Sequence, residues 1–374
     1  MKKHFAKIEI FLVCIVWIGL TAFSWFSPAL EFSLSERRKL KQFPELSLEA
    51  IENGSFMKDF ESFTLDQFPL RDTFRTIKAL AAFGLFNQKD NNDVYIAQGQ
   101  ASKLEPVLNE GSLRYAKDRL TYLMDKYFAG TDANLYFSIV PDKGYYLAEK
   151  NGYLSMDYDK MVGYFKEQLV NTQYVDLFPY LSADNYYATD SHWKQEDLLK
   201  VAEALATAMG VQDSIYKDYE LVETGKDFYG VYYGQAALPL APDTIKYLTN
   251  KYLEECIVYN IEKNEVGGIY NESKLDSWDP YEFFLSGAVH TLVIENPNAA
   301  AERELVVFRD SYGSSLIPLL VGAYSKVTVL DTRYIHPNRI ADYCDLSAAD
   351  DVLFMYSTSV LNSSMTLRNE KFGG

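Results

Sequence analysis

An aspartate and a histidine two positions apart, in Tyr187-Ala188-Thr189-Asp190-Ser191-His192-Trp193, are the residues of this chain best suited to moving a proton near neutral pH. Only four histidines are present. His4 precedes an apolar segment, and His290 and His336 have no carboxylate so near in sequence, which leaves His192 as the candidate base. Such a base needs a nucleophile supplied from elsewhere in the fold. Val307-Phe308-Arg309-Asp310-Ser311-Tyr312-Gly313-Ser314-Ser315 offers Ser311, which leaves a β-branched apolar run and precedes a helical stretch from Leu316 to Tyr324. A serine at the carboxyl end of a parallel strand lies in the crevice where open α/β sheets bind ligands. The helix start beyond it offers backbone N–H groups to a developing oxyanion, and Gly313 lets the backbone come close. With Asp190 orienting the imidazole, Ser311, His192 and Asp190 read as a Ser-His-Asp triad.

A plainer alternative gives these residues no chemistry. Asp190 or Ser191 caps a helix that starts near Lys194, His192 fills the core, and Ser311, Ser314 and Ser315 cap the next helix. Arg333, at a strand end in Leu330-Asp331-Thr332-Arg333-Tyr334, either orients an anionic or acyl group or pairs with Asp331. Tyr312 and Trp193, beside the two blocks, are the other candidates for substrate contact. No metal or cofactor is implied, because Asp190 and His192 lack further ligands at useful spacing and Cys14, Cys256 and Cys344 form no C-x-x-C pair. Cys256 and Cys344 either pair in an oxidising compartment or remain free thiols.

The elements that must position these residues follow an α/β pattern. Asn134–Val140, Glu304–Phe308, Lys326–Leu330 and Asp351–Tyr356 read as buried strands, and the runs ending at Val140, Phe308, Leu330 and Tyr356 are expected as parallel neighbours in one sheet. Asn92–Ala97 and Tyr174–Leu177 read as further strands. Ser112–Tyr127, Met156–Val170 and Gln195–Met209 read as helices. Residues 210–287, with many tyrosines and several Gly and Pro, read as a β-rich insertion in a body spanning 93–374. Residues 31–92 form a helical stalk or cap, with helices expected over Ser33–Leu40, Leu48–Phe63 and Thr73–Phe86.

Ahead of these lies a membrane-targeting segment, residues 1–30. Lys2, Lys3 and Lys7 precede an apolar run from Ile8 to Phe26, long enough to span a bilayer and oriented by its basic flank with the N-terminus in the cytoplasm. The body is then extracytoplasmic, on a single-pass anchor. Cleavage near Ser27-Pro28-Ala29, which would release it, is the alternative. A formal net charge of -16 argues against nucleic acid as a partner, since a polyanion is gripped by a basic surface.

Thr189-Asp190-Ser191-His192-Trp193 resembles the T-D-x-H-W signature of the DHHW family and of the SGNH-hydrolase-like proteins of alginate O-acetylation. Phe308-Arg309-Asp310-Ser311-Tyr312 resembles their nucleophile block, G-D-S in ordinary SGNH hydrolases. Ser33–Pro44, Asp66–Arg71, Val140-Pro141-Asp142-Lys143 and Leu330–Tyr334 are similar to further landmarks of the family, so the resemblance covers most of the chain after the anchor. The serine block follows the Asp/His block, similar to the circularly permuted order of the alginate proteins. Two positions depart: Ser191 stands where the family name has a second histidine, and Arg309 stands where G-D-S has glycine. No oxyanion side chain is recognisable, Asn362 being a weak substitute. The resemblance implies a three-layer αβα sandwich on a mostly parallel sheet. It also implies an O-acetyltransferase acting on a polysaccharide through the Ser-His-Asp triad, with acetyl groups supplied by a multi-pass membrane acyltransferase. An O-acetyl esterase using the same site is one alternative, and a non-catalytic glycan-binding or scaffold protein is another.

Overall fold

The computed structural model describes residues 2–33 and 35–367. Met1, Leu34 within the Ser33–Leu40 stretch, and 368–374 at the end of the body lie outside the described residues. The chain divides into two compact units, one running to Asn92 and including Tyr233–Leu240, the other made of Asp93–Tyr232 and the chain from Ala241 onward.

The first unit opens with α1 (Lys2–Phe26), whose Lys7–Phe26 portion is apolar and long enough to cross a membrane. At 1.5 Å per residue, those 20 residues span about 30 Å, the thickness of a hydrocarbon core. β1 (Phe32–Ser33) and β2 (Arg38–Lys39) then pair antiparallel. This corrects the helix expected over Ser33–Leu40. Ser33 Oγ accepts the Glu36 N–H at 3.1 Å and Arg37 sits at φ 52°, so the backbone turns back on itself. α2 (Leu48–Glu52) and α3 (Ser55–Asp66) are separated at Gly54, whose φ of 76° a side chain would resist. α4 (Arg71–Leu80) follows Pro69 and continues into a π-turn over Ala81–Leu85.

The second unit begins with a hairpin of β3 (Val94–Ala97) and β4 (Gln100–Lys103). There follow α5 (Glu110–Phe128), β5 (Asn134–Val140), α6 (Lys143–Leu147), α7 (Tyr158–Gln168), β6 (Gln173–Tyr174) and α8 (Leu199–Ala208). The remaining strands are β7 (Glu220–Phe228), β8 (Asp243–Thr249), β9 (Ile257–Asn260), β10 (Glu265–Gly267), β11 (Thr291–Glu295), β12 (Glu304–Arg309), β13 (Lys326–Leu330) and β14 (Asp351–Ser357).

Eight of these strands make one sheet in the order β10-β9-β11-β13-β12-β14-β5-β6. From β13 to β6 every neighbouring pair is parallel, as expected of the four apolar runs, while β11, β9 and β10 extend the sheet antiparallel. Alternation along the central strands divides the core: Leu305, Val307, Leu353 and Met355 face one layer with Val201 and Leu205 of α8. Val306, Phe308, Val352 and Phe354 face the other, with Leu120 of α5 and Phe165 of α7. The architecture is a three-layer αβα sandwich. Full burial on both faces explains why these strands read as unbroken apolar runs, and truncating a fully buried ring such as Phe308 costs about 3–5 kcal/mol.

Residues 210–287 are only partly a separate β-rich insertion. β7 and β8 form their own antiparallel ribbon, but β9 and β10 join the edge of the main sheet. The stretch after Ser311 is a broken helix, α-helical over Gly313–Leu316 and 3-10 over Ile317–Leu319, because Pro318 cannot donate to a regular α ladder. Cys256 and Cys344 are free thiols.

Candidate active site

Asp190, Ser191 and His192 stand in a tight loop whose ends pair at the Tyr186–Trp193 bridge, flanked by the 3-10 turns Ala183–Asn185 and Gln195–Asp197. This corrects the helix expected to start near Lys194: Gln195–Asp197 is a 3-10 turn, and the α-helix runs over Leu199–Ala208. Several tethers fix the loop. Tyr187 N–H donates to the His192 carbonyl at 3.1 Å, and Ala101 N–H in β4 donates to the Ala188 carbonyl at 2.8 Å. Lys143 Nζ, fully buried at the start of α6, donates to the Tyr187 carbonyl at 2.7 Å. Asp243, the first residue of β8, accepts from Ala188 N–H and Thr189 N–H, both at 2.8 Å, and from Thr189 Oγ1 at 2.6 Å.

Ser311 sits in the turn that leaves β12, and its neighbours are anchored on both sides. Asp310 accepts the Tyr312 N–H at 3.1 Å through one carboxylate oxygen and the Ser357 N–H at 2.7 Å through the other, tying the turn to the end of β14. Arg309 is fully buried, donating to the Gly287 carbonyl at 3.1 Å and lying 3.7 Å from Asp331. Burial lowers its pKa. A Cβ on Gly313 would meet the Arg309 Cβ at 2.8 Å, so the glycine missing at 309 is answered by one at 313.

The two loops bring the three residues into one relay. His192 Nδ1 lies 2.6 Å from Asp190 Oδ1, and His192 Nε2 lies 2.7 Å from Ser311 Oγ. Asp190 is fully buried and accepts the His192 backbone N–H at 3.0 Å through Oδ1 and the Val231 N–H at 2.8 Å through Oδ2. A carboxylate on Nδ1 keeps the imidazole proton there, which leaves Nε2 free to accept from the Ser311 hydroxyl. Ser311 and His192 both keep partial exposure.

The remaining predicted contact residues have other occupations. Arg333 donates to Asp331 from Nε at 2.9 Å and from Nη2 at 2.6 Å, which makes it one half of an ion pair. Trp193, expected to face substrate, has no exposed surface. Its Nε1–H donates to the Tyr312 carbonyl at 3.1 Å and to Ser315 Oγ at 2.9 Å, bridging the two loops. Tyr312 is likewise buried, its hydroxyl donating to the Ser191 carbonyl at 2.7 Å. Asn362 accepts from Asn109 N–H and donates to the Val107 carbonyl, so its amide is engaged away from the relay. Among the described residues no group of three or more His, Cys, Asp or Glu side chains could hold a metal ion.

Sequence reasoning missed Tyr281, Val231, Gly230, Asp243 and Lys143. The Tyr281 ring stacks on His192 with centroids 3.9 Å apart, and its hydroxyl lies 2.8 Å from Ser315 Oγ. Burial raises the Tyr281 pKa and keeps the phenol neutral. Gly230 packs so closely on Asp190 that an added Cβ would sit 2.3 Å from the Asp190 Cβ. Lys143 in Pro141-Asp142-Lys143 was visible as a lysine directly after a buried strand. Of the other four, Gly230 lies in irregular chain, Tyr281 in a 3-10 turn, and Val231 and Asp243 open short elements, where no periodic signal points to the site.

The sequence matches no family model and no curated protein. Among solved structures, a DHHW family protein from Eubacterium siraeum is similar over 75% of this chain and 96% of its own, at 23% identity and a TM-score of 0.61. The chain has the fold of a DHHW family protein. Bacillus cereus PatB1 is similar over 72% of this chain and 96% of its own, at 21% identity and a TM-score of 0.57. PatB1 has also been solved with a sulfonyl adduct, and that structure aligns with the same TM-score of 0.57.

Proposed function

We propose that this chain is a membrane-anchored, extracytoplasmic serine acyltransferase that places an acyl group, acetyl in the first instance, on a hydroxyl of a cell-surface or exported polysaccharide. The observation that carries the reading is the continuous relay from Asp190 through His192 to Ser311, with contacts of 2.6 and 2.7 Å. His192 Nε2 takes the Ser311 proton as Oγ attacks the acyl carbonyl. The tetrahedral adduct collapses to acyl-Ser311, and His192 returns the proton to the departing group. The same nitrogen then deprotonates an acceptor hydroxyl, which attacks the acyl-serine and restores the free enzyme. Asp190 stays ionised and stabilises the imidazolium formed in each half. A general base so placed contributes about 10²–10⁴-fold.

Supporting this reading, the structurally similar PatB1 carries a sulfonyl adduct, the product expected when an activated nucleophile meets a sulfonyl electrophile. The polysaccharide acceptor, the acetyl group and a multi-pass membrane partner that supplies it come from the resemblance of the two sequence blocks. α1, with Lys2, Lys3 and Lys7 at its start, supplies the anchor with a cytoplasmic N-terminus.

The test is turnover of p-nitrophenyl acetate by the full chain, with and without an exported polysaccharide. Transferase action predicts loss of turnover in Ser311→Ala and His192→Ala, faster release with polymer, and acetyl on the polymer. Ser311-dependent release with no acetyl on the polymer assigns the same site to an esterase. Turnover unchanged in Ser311→Ala defeats both and leaves a glycan-binding role.

A further inference from the structure

α4 is amphipathic in the opposite sense to a water-facing helix. Both of its arginines turn inward while Lys78 stays exposed: Arg71 reaches both carboxylate oxygens of Glu36, and Arg75 reaches the Gly234 carbonyl and, at 3.4 Å, Glu36. Ala79 and Ala82, at the same helical spacing, are buried on that face. The opposite face carries Phe74, Ile77 and Leu80, continued by Leu85 and Phe86 at the π-turn, all of them exposed. Ile77 and Leu85 keep 55% and 75% of their surface. The two arginines are thus satisfied inside the unit while large apolar groups, beside the exposed Asp72, Thr73 and Lys78, point away from it, an apolar outward patch unusual for a solvated surface helix.

A second observation ties the start of α4 to the end of α1. Gln67 clamps Leu30: its Oε1 accepts the Leu30 N–H at 2.9 Å and its Nε2 donates to the Leu30 carbonyl at 2.8 Å. Leu30 is four residues beyond Phe26, where α1 ends, and Gln67 is four residues ahead of Arg71, where α4 begins. At no more than about 3.5 Å per residue, each of those connections spans at most about 14 Å. Leu30 and Leu70 are exposed at this junction, and Trp25 and Phe26 at the end of α1 are exposed bulky rings of the kind that sit at headgroup level. The start of α4 is therefore tied to the end of α1.

We propose that the outward face of α4 and the turn after it lies in the interfacial layer of the bilayer that α1 crosses, so that the first unit meets lipid at two places. The proposal rests on α1 being an uncleaved anchor. An interfacial helix inserts such side chains to about the headgroup and acyl boundary.

The test uses the full chain in palmitoyl-oleoyl-phosphatidylcholine nanodiscs, nitroxide-labelled one site at a time at native Cys14, at Ile77→Cys, at Leu85→Cys, or at Glu167→Cys on α7 as the aqueous reference. The last three are made with Cys14→Ser, and all four carry Cys344→Ser. The expected result is relaxation at 77 and 85 that responds to oxygen several-fold more than to a water-soluble nickel chelate, with the ratio reversed at 167. If Cys14 is in lipid but 77 and 85 behave as 167 does, the proposal is overturned and the anchor stands. Aqueous accessibility at Cys14 as well overturns both. Spin-spin broadening at 77 between copies assigns the face to a second chain, and immobilisation at 77 only when a membrane protein is added assigns it to that protein. Either result overturns the lipid assignment.

Discussion

Tyr281 lies face to face with His192, ring centroids 3.9 Å apart and planes 12° from parallel. The imidazole is thereby held from three directions: Asp190 at Nδ1, Ser311 at Nε2 and a phenol ring across one face. Contacts of this aromatic kind are worth about 0.5–1.5 kcal/mol, a factor of roughly 2 to 10. Tyr281→Ala is therefore expected to lower acylation by that factor through misplacement of the ring. Tyr281→Phe keeps the stack, loses only the contact with Ser315 Oγ, and should stay within about twofold. Single-turnover acylation rates for the two variants check this, and equal losses in both would assign the effect to the hydroxyl.

Asp190→Asn tests the tautomer argument. An amide can donate to Nδ1 and so drive the imidazole proton to Nε2, where it cannot accept from Ser311. The expected outcome is a loss of kcat of roughly 10³–10⁴-fold with little change in KM. A loss under tenfold would mean that Asp190 is only a cap for its loop.

Gly230→Ala should act on Asp190 through backbone. The added Cβ meets Asp190 N, Cα and Cβ at 2.5 Å or less, none of which can swing away, so the Val231 N–H to Asp190 bond must open. Overpacking of this kind costs about 1–3 kcal/mol. Thermal unfolding should fall accordingly and acylation should fall with it. Unchanged melting would show that the segment carrying Gly230 simply shifts.

Lys143 gives a pH dependence with a definite sign. Burial pushes its ammonium down to about 7, against the pull of Asp190 and Asp243. Between about pH 7 and the ordinary lysine range the unfolded chain holds this proton and the folded chain does not, so folded stability gained from this group rises with pH across that window. Below pH 7 both states are protonated and the burial penalty is present in full. Chemical denaturation at pH 6 to 10 should show wild type gaining on Lys143→Met as pH rises, and a pH-independent difference would contradict the neutralisation.

The parallel centre of the sheet was legible because β5, β12, β13 and β14 are buried on both faces and so appear as apolar, mostly β-branched or aromatic runs with turn residues after them. The Asp190–His192 and Ser311 blocks were legible as residue types, and Ser311 as the residue that leaves a strand, whereas Asp190–His192 stand in a loop between 3-10 turns rather than at a strand end. What holds them was not. Tyr281, Val231 and Asp243 reach the site from a 3-10 turn and from the first residues of short elements, at sequence separations of about 40 to 90 residues, where neither period nor spacing signals a contact. Trp193 and Tyr312 were misjudged for a related reason: amphipathic aromatics beside a motif serve equally well as substrate platforms and as buried ties, and only burial separates the two. β11 was missed because its five residues follow irregular chain and carry too little pattern to stand out.

The most direct measurement is peptide mapping by mass spectrometry after brief exposure of the full chain to phenylmethylsulfonyl fluoride or to an activated acetyl ester. Nucleophilic catalysis predicts one sulfonyl or acetyl group on the peptide containing Ser311, absent in Ser311→Ala and strongly slowed in His192→Ala. Modification spread over surface lysines and tyrosines, with the Ser311 peptide unmodified or labelled equally fast in His192→Ala, would contradict an activated serine at this site.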